Sequence, residues 1–146
     1  MRLAIAEINL QALAHNLAQV RQFAPNSKVM AVLKANAYGH GLVKIAQHLN
    51  DADAFAVARI DEALALRAGG LTKPIVLLEG FFHQDDLPIL LANNFQTIIH
   101  DENQLRALEN AKLDAPISCW LKINTGMHRL GVAPTQLNDF YQRLQA

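Results

Sequence analysis

The sequence predicts an α/β fold built on a parallel sheet. The hydrophobic period switches repeatedly along the chain between strand-like alternation and a helical face. After an opening strand and helix, those switches divide the chain into about five strand-then-helix units of roughly 20–30 residues, the spacing of βαβ construction. Of the 146 residues, 51% are apolar, enough for one domain with a hydrophobic core.

Leu3 to Ile8 alternates and is expected to be a strand. From Leu10, apolar residues recur at Leu13, Leu17 and Val20, one face of a helix that Pro25-Asn26-Ser27 ends. Val29 to Leu33 reads as a buried strand, and Leu42, Ile45, Ala46 and Leu49 as the next helical face. Ala54 to Val57 is a short strand, and Glu62 to Ala68 a helix stopped by Gly69-Gly70. Pro74 leads into the strand Ile75 to Leu78. Leu87, Leu90 and Leu91 mark a helix with Pro88 in its first turn. Gln96 to Ile99 is strand-like, and Asp101-Glu102-Asn103-Gln104 resembles a capping box opening a helix through Leu105 and Leu108. Ile117 to Ile123 is the last strand. Thr135 is expected to cap a final helix carrying Leu137, Phe140, Tyr141 and Leu144.

Thirteen basic residues balance thirteen acidic ones, so neither a nucleic-acid stripe nor an acidic tail is present. Near-zero net charge gives little protection against self-association. Cys119 is the only cysteine and cannot form an internal disulfide, which fits a reducing compartment. The first residues lack the apolar core of a secretory leader, and no run approaches the ~20 apolar residues of a membrane span. A soluble, cytoplasmic protein is expected.

Two parallel architectures fit this pattern: an open doubly wound sheet, and part of an eight-stranded (β/α) barrel, which needs about 250 residues. Length favours the open sheet, but no G-x-G-x-x-G follows a strand, and the residues at the strand ends favour the barrel.

The apolar run ending at Leu33 is followed by Lys34, then Tyr38, then Gly39-His40-Gly41. A lysine at the carboxyl end of a parallel strand sits where such folds keep their chemistry. A lysine attacks an aldehyde only when neutral, and an apolar strand end supplies desolvation. Tyr38 offers a hydroxyl, and the glycines let backbone amides approach a phosphate. The plainer reading is a lysine snorkelling at a strand end beside an ordinary turn. A second segment, Trp120 to Gly131, reads from its residues as a strand running into a glycine-containing loop, with Arg129 a solvated charge. Elsewhere the six histidines lack metal-ligand spacing, Asp85-Asp86 reads as a helix start, and Cys119 as an inert core residue.

The segment Ala31 to Gly41 closely resembles the cofactor-lysine signature of alanine racemases, and Trp120 to Gly131 resembles a second motif of that family. The resemblance covers nearly the whole chain. It implies an incomplete (β/α) barrel of the alanine racemase type, about five of eight βα units. It also implies pyridoxal 5′-phosphate (PLP) as cofactor and interconversion of L- and D-alanine. By resemblance Lys34 forms the Schiff base with the cofactor and acts as one acid/base group, and Tyr38 contacts the phosphate. Arg129 reaches the cofactor's phenolic oxygen and the substrate carboxylate. Lys122 matches a lysine that is often carbamylated and then orients the arginine. Asn124 departs from the family's usual aspartate, which puts the local hydrogen bonding in question.

In that family the second base is a tyrosine from the C-terminal domain of the other subunit of a homodimer. No segment of residues 1–146 matches it. The implied reading is therefore an N-terminal portion, inactive or poorly active alone, whose residues 1–8 form a strand of the C-terminal β domain. The alternatives are another PLP-barrel enzyme, a decarboxylase or a broader amino-acid racemase, and a non-catalytic PLP-binding protein. The Lys122 to Gly131 match argues against both.

Overall fold

A computed structural model describes residues 4–145. Five short strands form one parallel sheet: β1 (Met30–Val32), β2 (Ala54–Val57), β3 (Ile75–Leu77), β4 (Phe95–Ile99) and β5 (Cys119–Leu121). Between and around them lie α1 (Leu10–Phe23), α2 (Lys34–Tyr38), α3 (Leu42–His48), α4 (Ile60–Ala68), α5 (Leu87–Ala92), α6 (Glu102–Glu109) and α7 (Leu137–Gln145).

The spatial order of the strands is their chain order, and every neighbouring pair is parallel. That decides between the two architectures. A doubly wound sheet reverses its strand order at a switch point; here there is none. Crossovers of one hand in one direction put every helix on the same face, which is the arc of a barrel. Phe55, Val57, Ile75, Leu77, Phe95 and Ile99 are buried in the core cluster with Leu17, Ile45, Leu66, Leu87, Leu90, Leu105 and Phe140 from the helices. Burying each such side chain contributes about 1.5–3 kcal/mol. The alternate residues Val32, Ala56, Val76, Gln96, Ile98 and Trp120 share the other face by register. On it the Trp120 indole N–H donates to Gln96 Oε1 at 2.7 Å.

Several expectations need correction. Residues 4–9 carry no regular structure, and Met1 to Leu3 lie outside the described residues. A strand forms only with a ladder partner, and residues 4–8 have none here. The strand expected over 117–123 is regular only over Cys119–Leu121, with an isolated bridge from Ile123 to Val132. Thr135 does not cap α7. It lies inside a 3₁₀ turn, Pro134–Gln136, that runs into the helix. Asp101 does cap α6, accepting from Gln104 N–H at 2.9 Å. The Gln104 side chain, however, does not return to Asp101, as a capping box requires, but reaches across to the β3–α5 connection.

At the N-terminal ends of the strands, charged groups close the structure. Asp53 Oδ2 accepts from Val29 N–H at 2.7 Å and from Arg21 Nη2 at 2.9 Å. The Val29 amide and the Arg21 guanidinium hold its carboxyl below the usual range. Arg67 donates to the carbonyls of Asn93, Leu71 and Lys73 at 3.1, 2.7 and 2.8 Å, and its guanidinium lies 5.2 Å from the centre of the Phe95 ring. Among the described residues, no helix is long and apolar enough to cross a membrane.

Candidate active site

Lys34 follows β1 by two residues. The ladder continues past the strand through the Leu33 N–H, which donates to Ala56 O at 2.7 Å, so the lysine leaves a fixed strand end. The chain then turns the wrong way for L-residues. Ala35, Asn36, Ala37 and Tyr38 have φ of 52, 55, 53 and 55°, a left-handed turn without a glycine. Each such residue costs roughly 1–2 kcal/mol relative to a right-handed one. Two groups on either side of Asn36 hold the turn. Its N–H donates to Glu62 Oε1 of α4 at 3.2 Å, and its Oδ1 accepts from Leu42 N–H, at the start of α3, at 2.9 Å. The other oxygen of Glu62 accepts from Ala58 and Arg59 N–H at 3.0 and 3.2 Å.

Lys122 sits one residue after β5, its N–H donating to Ile99 O at 2.9 Å. The loop beyond it is closed by Asn124. Oδ1 accepts from Gly126 and His128 N–H at 3.1 and 3.0 Å, and the side-chain amide donates to His128 Nδ1 at 3.0 Å. The two acceptor bonds are ones a carboxylate would also make. The asparagine therefore keeps the loop's closure and adds one donor. Gly131 returns the chain beside Asn124: φ is 113°, and a Cβ there would lie 2.6 Å from Asn124 N.

Lys34, Lys122 and Arg129 line one cavity of about 390 Å³ at the C-terminal ends of the strands, with Leu78, Glu79, Phe82, His100 and Leu130. Its size lies in the ~300–1,000 Å³ range of small-molecule sites. Among the described residues none of the three cations forms an ion pair. Tyr38 is not brought into this cavity. Its side chain is 58% exposed and borders a neighbouring groove against α1.

Two residues at the site were not singled out from the sequence. His100 follows β4 directly, and its Nε2 donates to Glu79 O at 3.1 Å. Gln104, nearly buried, accepts from His100 N–H at 3.0 Å and donates to the carbonyls of Glu79 and Phe81 at 3.0 and 3.3 Å. The signal for His100 was its place at a strand's carboxyl end. Gln104 gave none beyond its helix-cap pattern. Cys119, half-buried in β5, has its thiol pushed up to about 11 by burial, which suits an unreactive residue.

A primary amine, a second lysine and a planar guanidinium lining one cavity suit a multiply anionic ligand. The family model for the alanine racemase N-terminal domain matches residues 8–146. The chain belongs to the alanine racemase N-terminal domain family. An alanine racemase of Vibrio cholerae is 61% identical over 144 residues, covering 99% of this chain and 40% of the relative. The biosynthetic alanine racemase of Escherichia coli is 60% identical over 144 residues, with the same coverage. The chain thus spans about 40% of the length of the curated alanine racemases it matches. Among solved structures, alanine racemase from Acinetobacter baumannii superposes with a TM-score of 0.91 at 38% identity, over 99% of this chain and 42% of that one. A histidine racemase from Leuconostoc mesenteroides superposes at 0.80 and 28% identity, over 92% and 37%. The five-stranded arc corresponds to the first part of the alanine racemase barrel.

Proposed function

We propose that this chain supplies the Lys34 half-site of a PLP-dependent racemase that interconverts L- and D-alanine. The observation that carries the reading is the meeting of Lys34, Lys122 and Arg129, without an ion-pair partner among the described residues, in one cavity at the strand ends. That donor set fits PLP and an amino-acid carboxylate. When bound, PLP supplies an electron sink that makes an amino acid's α-proton removable.

The chain's own residues then divide the work. Lys34 would hold the cofactor, and its Nζ would hold or move the α-proton on one face of the substrate carbon. The Arg129 fork binds carboxylate and phenolate oxygens. Lys122, when carbamylated, is an anion that orients Arg129. Tyr38 would donate its hydroxyl to the phosphate. Racemisation needs a second base on the opposite face, which this reading assigns to a C-terminal domain of the other subunit in a cytoplasmic homodimer. Residues 1–8 are assigned to a strand completed by that domain.

The test is to incubate the full-length protein with PLP and L-alanine in D₂O and follow alanine by NMR and chiral chromatography. Deuterium entering Cα together with D-alanine is expected. Release of carbon dioxide, or racemisation of histidine without alanine, contradicts the proposal. The chain of residues 1–146 alone is expected to produce little or no D-alanine.

A further inference from the structure

Resting on that reading of the site, we propose that Glu62 is a positioning residue for Lys34, acting through the left-handed turn of α2. The turn is an unfavourable conformation for four successive non-glycine residues, so it requires bonds that a right-handed alternative would lose. Within residues 33–42 those bonds are local: Ala37 N–H to Leu33 O, Gly39 N–H to Ala35 O, Gly41 N–H to Asn36 O, and Leu42 N–H to the Asn36 side chain. The Glu62 carboxylate brings one from outside. It spans two βα units, taking the Asn36 N–H on Oε1 and the Ala58 and Arg59 N–H groups on Oε2.

Accepting from Ala58 and Arg59 is ordinary helix capping for an acid in the first turn of α4. Accepting from Asn36 is not, because that amide lies twenty-six residues away and two residues from Lys34. The rigid β2–α4 junction thereby fixes the backbone from which Lys34 and Tyr38 leave. Catalytic lysines need such support, since small misplacements are costly.

The experiment uses the full-length protein with Glu62→Ala and the near-isosteric Glu62→Gln. Amide hydrogen exchange of the cofactor-free protein is read at residues 36, 58 and 59. The rate of borohydride-trapped PLP attachment to Lys34 is measured beside it. Glu62→Ala is expected to speed exchange at all three amides and to slow Lys34 capture about tenfold. Glu62→Gln has one carbonyl oxygen for two sides, so it should show an intermediate capture rate. It carries the test if the alanine variant does not fold. Faster exchange confined to Ala58 and Arg59, with Lys34 captured at the wild-type rate, reduces Glu62 to a helix cap and overturns the inference. Wild-type protein that attaches no PLP at Lys34 overturns the reading of the site, and this inference with it.

Discussion

At the N-terminal ends of the strands, cations are held by protein partners. Arg21 meets Asp53 and the Asp51 carbonyl, Arg67 gathers four loop carbonyls, and Lys73 donates to Ala52 O at 2.6 Å and to Asn50 O. At the C-terminal ends, Lys34, Lys122 and Arg129 have no carboxylate partner among the described residues and face one cavity. The residue types are the same, but their situations differ. At one end charge closes loops and serves stability. At the other it is left available, which a fold tolerates where a ligand of opposite charge is to be bound.

One substitution at each end is expected to give the largest and opposite effects. Lys34→Ala in the full-length protein should abolish covalent PLP capture while leaving the unfolding midpoint within the range of a neutral surface change. Persistence of a PLP adduct, mapped by mass spectrometry, counts against the role. Arg67→Ala should do the reverse. It removes four hydrogen bonds and the stacking on Phe95, costing about 2–3 kcal/mol in denaturant titration, with Lys34 capture unchanged.

The loop after β5 offers a finer test. Gly131→Ala forces a Cβ against the Asn124 backbone at a positive φ and should cost about 1–3 kcal/mol in denaturant titration. Asn124→Ala removes two acceptor bonds and one donor. It should speed amide exchange at Gly126 and His128, whereas Asn124→Asp should keep those two amides protected. Loss of protection in the aspartate variant would mean the donor to His128 does the holding.

The smallest effect is electrostatic. Arg143 and Arg106 hold the Glu102 carboxyl at about 2, below its ordinary 4.5. A depressed acid contributes its stability above the unfolded value, and that contribution is lost as pH falls from about 4.5 toward 2. The contact between α6 and α7 should therefore loosen in that window, and added salt should weaken it in part, since Glu102 and Arg143 are half-buried and solvent still reaches them. An α6–α7 exchange rate flat across that pH range would remove Glu102 from the account.

Most of the frame was legible in the sequence. The apolar faces of α1, α3 and α6 and the four residues of β2 follow from periodicity, because helices and strands buried on a known side must repeat at their own period. Sequential strand order was not legible, since period carries no information on which strand neighbours which; length pointed to the wrong architecture. The candidate residues Lys34, Lys122 and Arg129, which line one cavity, come from motifs. The turn that presents Lys34 was not. Ala-Asn-Ala-Tyr favours a right-handed helix by propensity, and the bonds to Leu33, Gly41, Leu42 and Glu62 that accompany its opposite hand reach outside those four residues. Glu62 and Gln104 both looked like helix-start residues because their second partners are more than twenty positions away. Residues 4–8 alternate like a strand, but alternation specifies a face and not a partner.

The most direct test of the central claim is to map where PLP attaches. Full-length protein is loaded with PLP, reduced with borohydride, digested and sequenced by mass spectrometry. The site described here predicts one modified lysine, Lys34, with Lys122 unlabelled although it lines the same cavity. Label on Lys122, or spread over several surface lysines with none preferred, would contradict it.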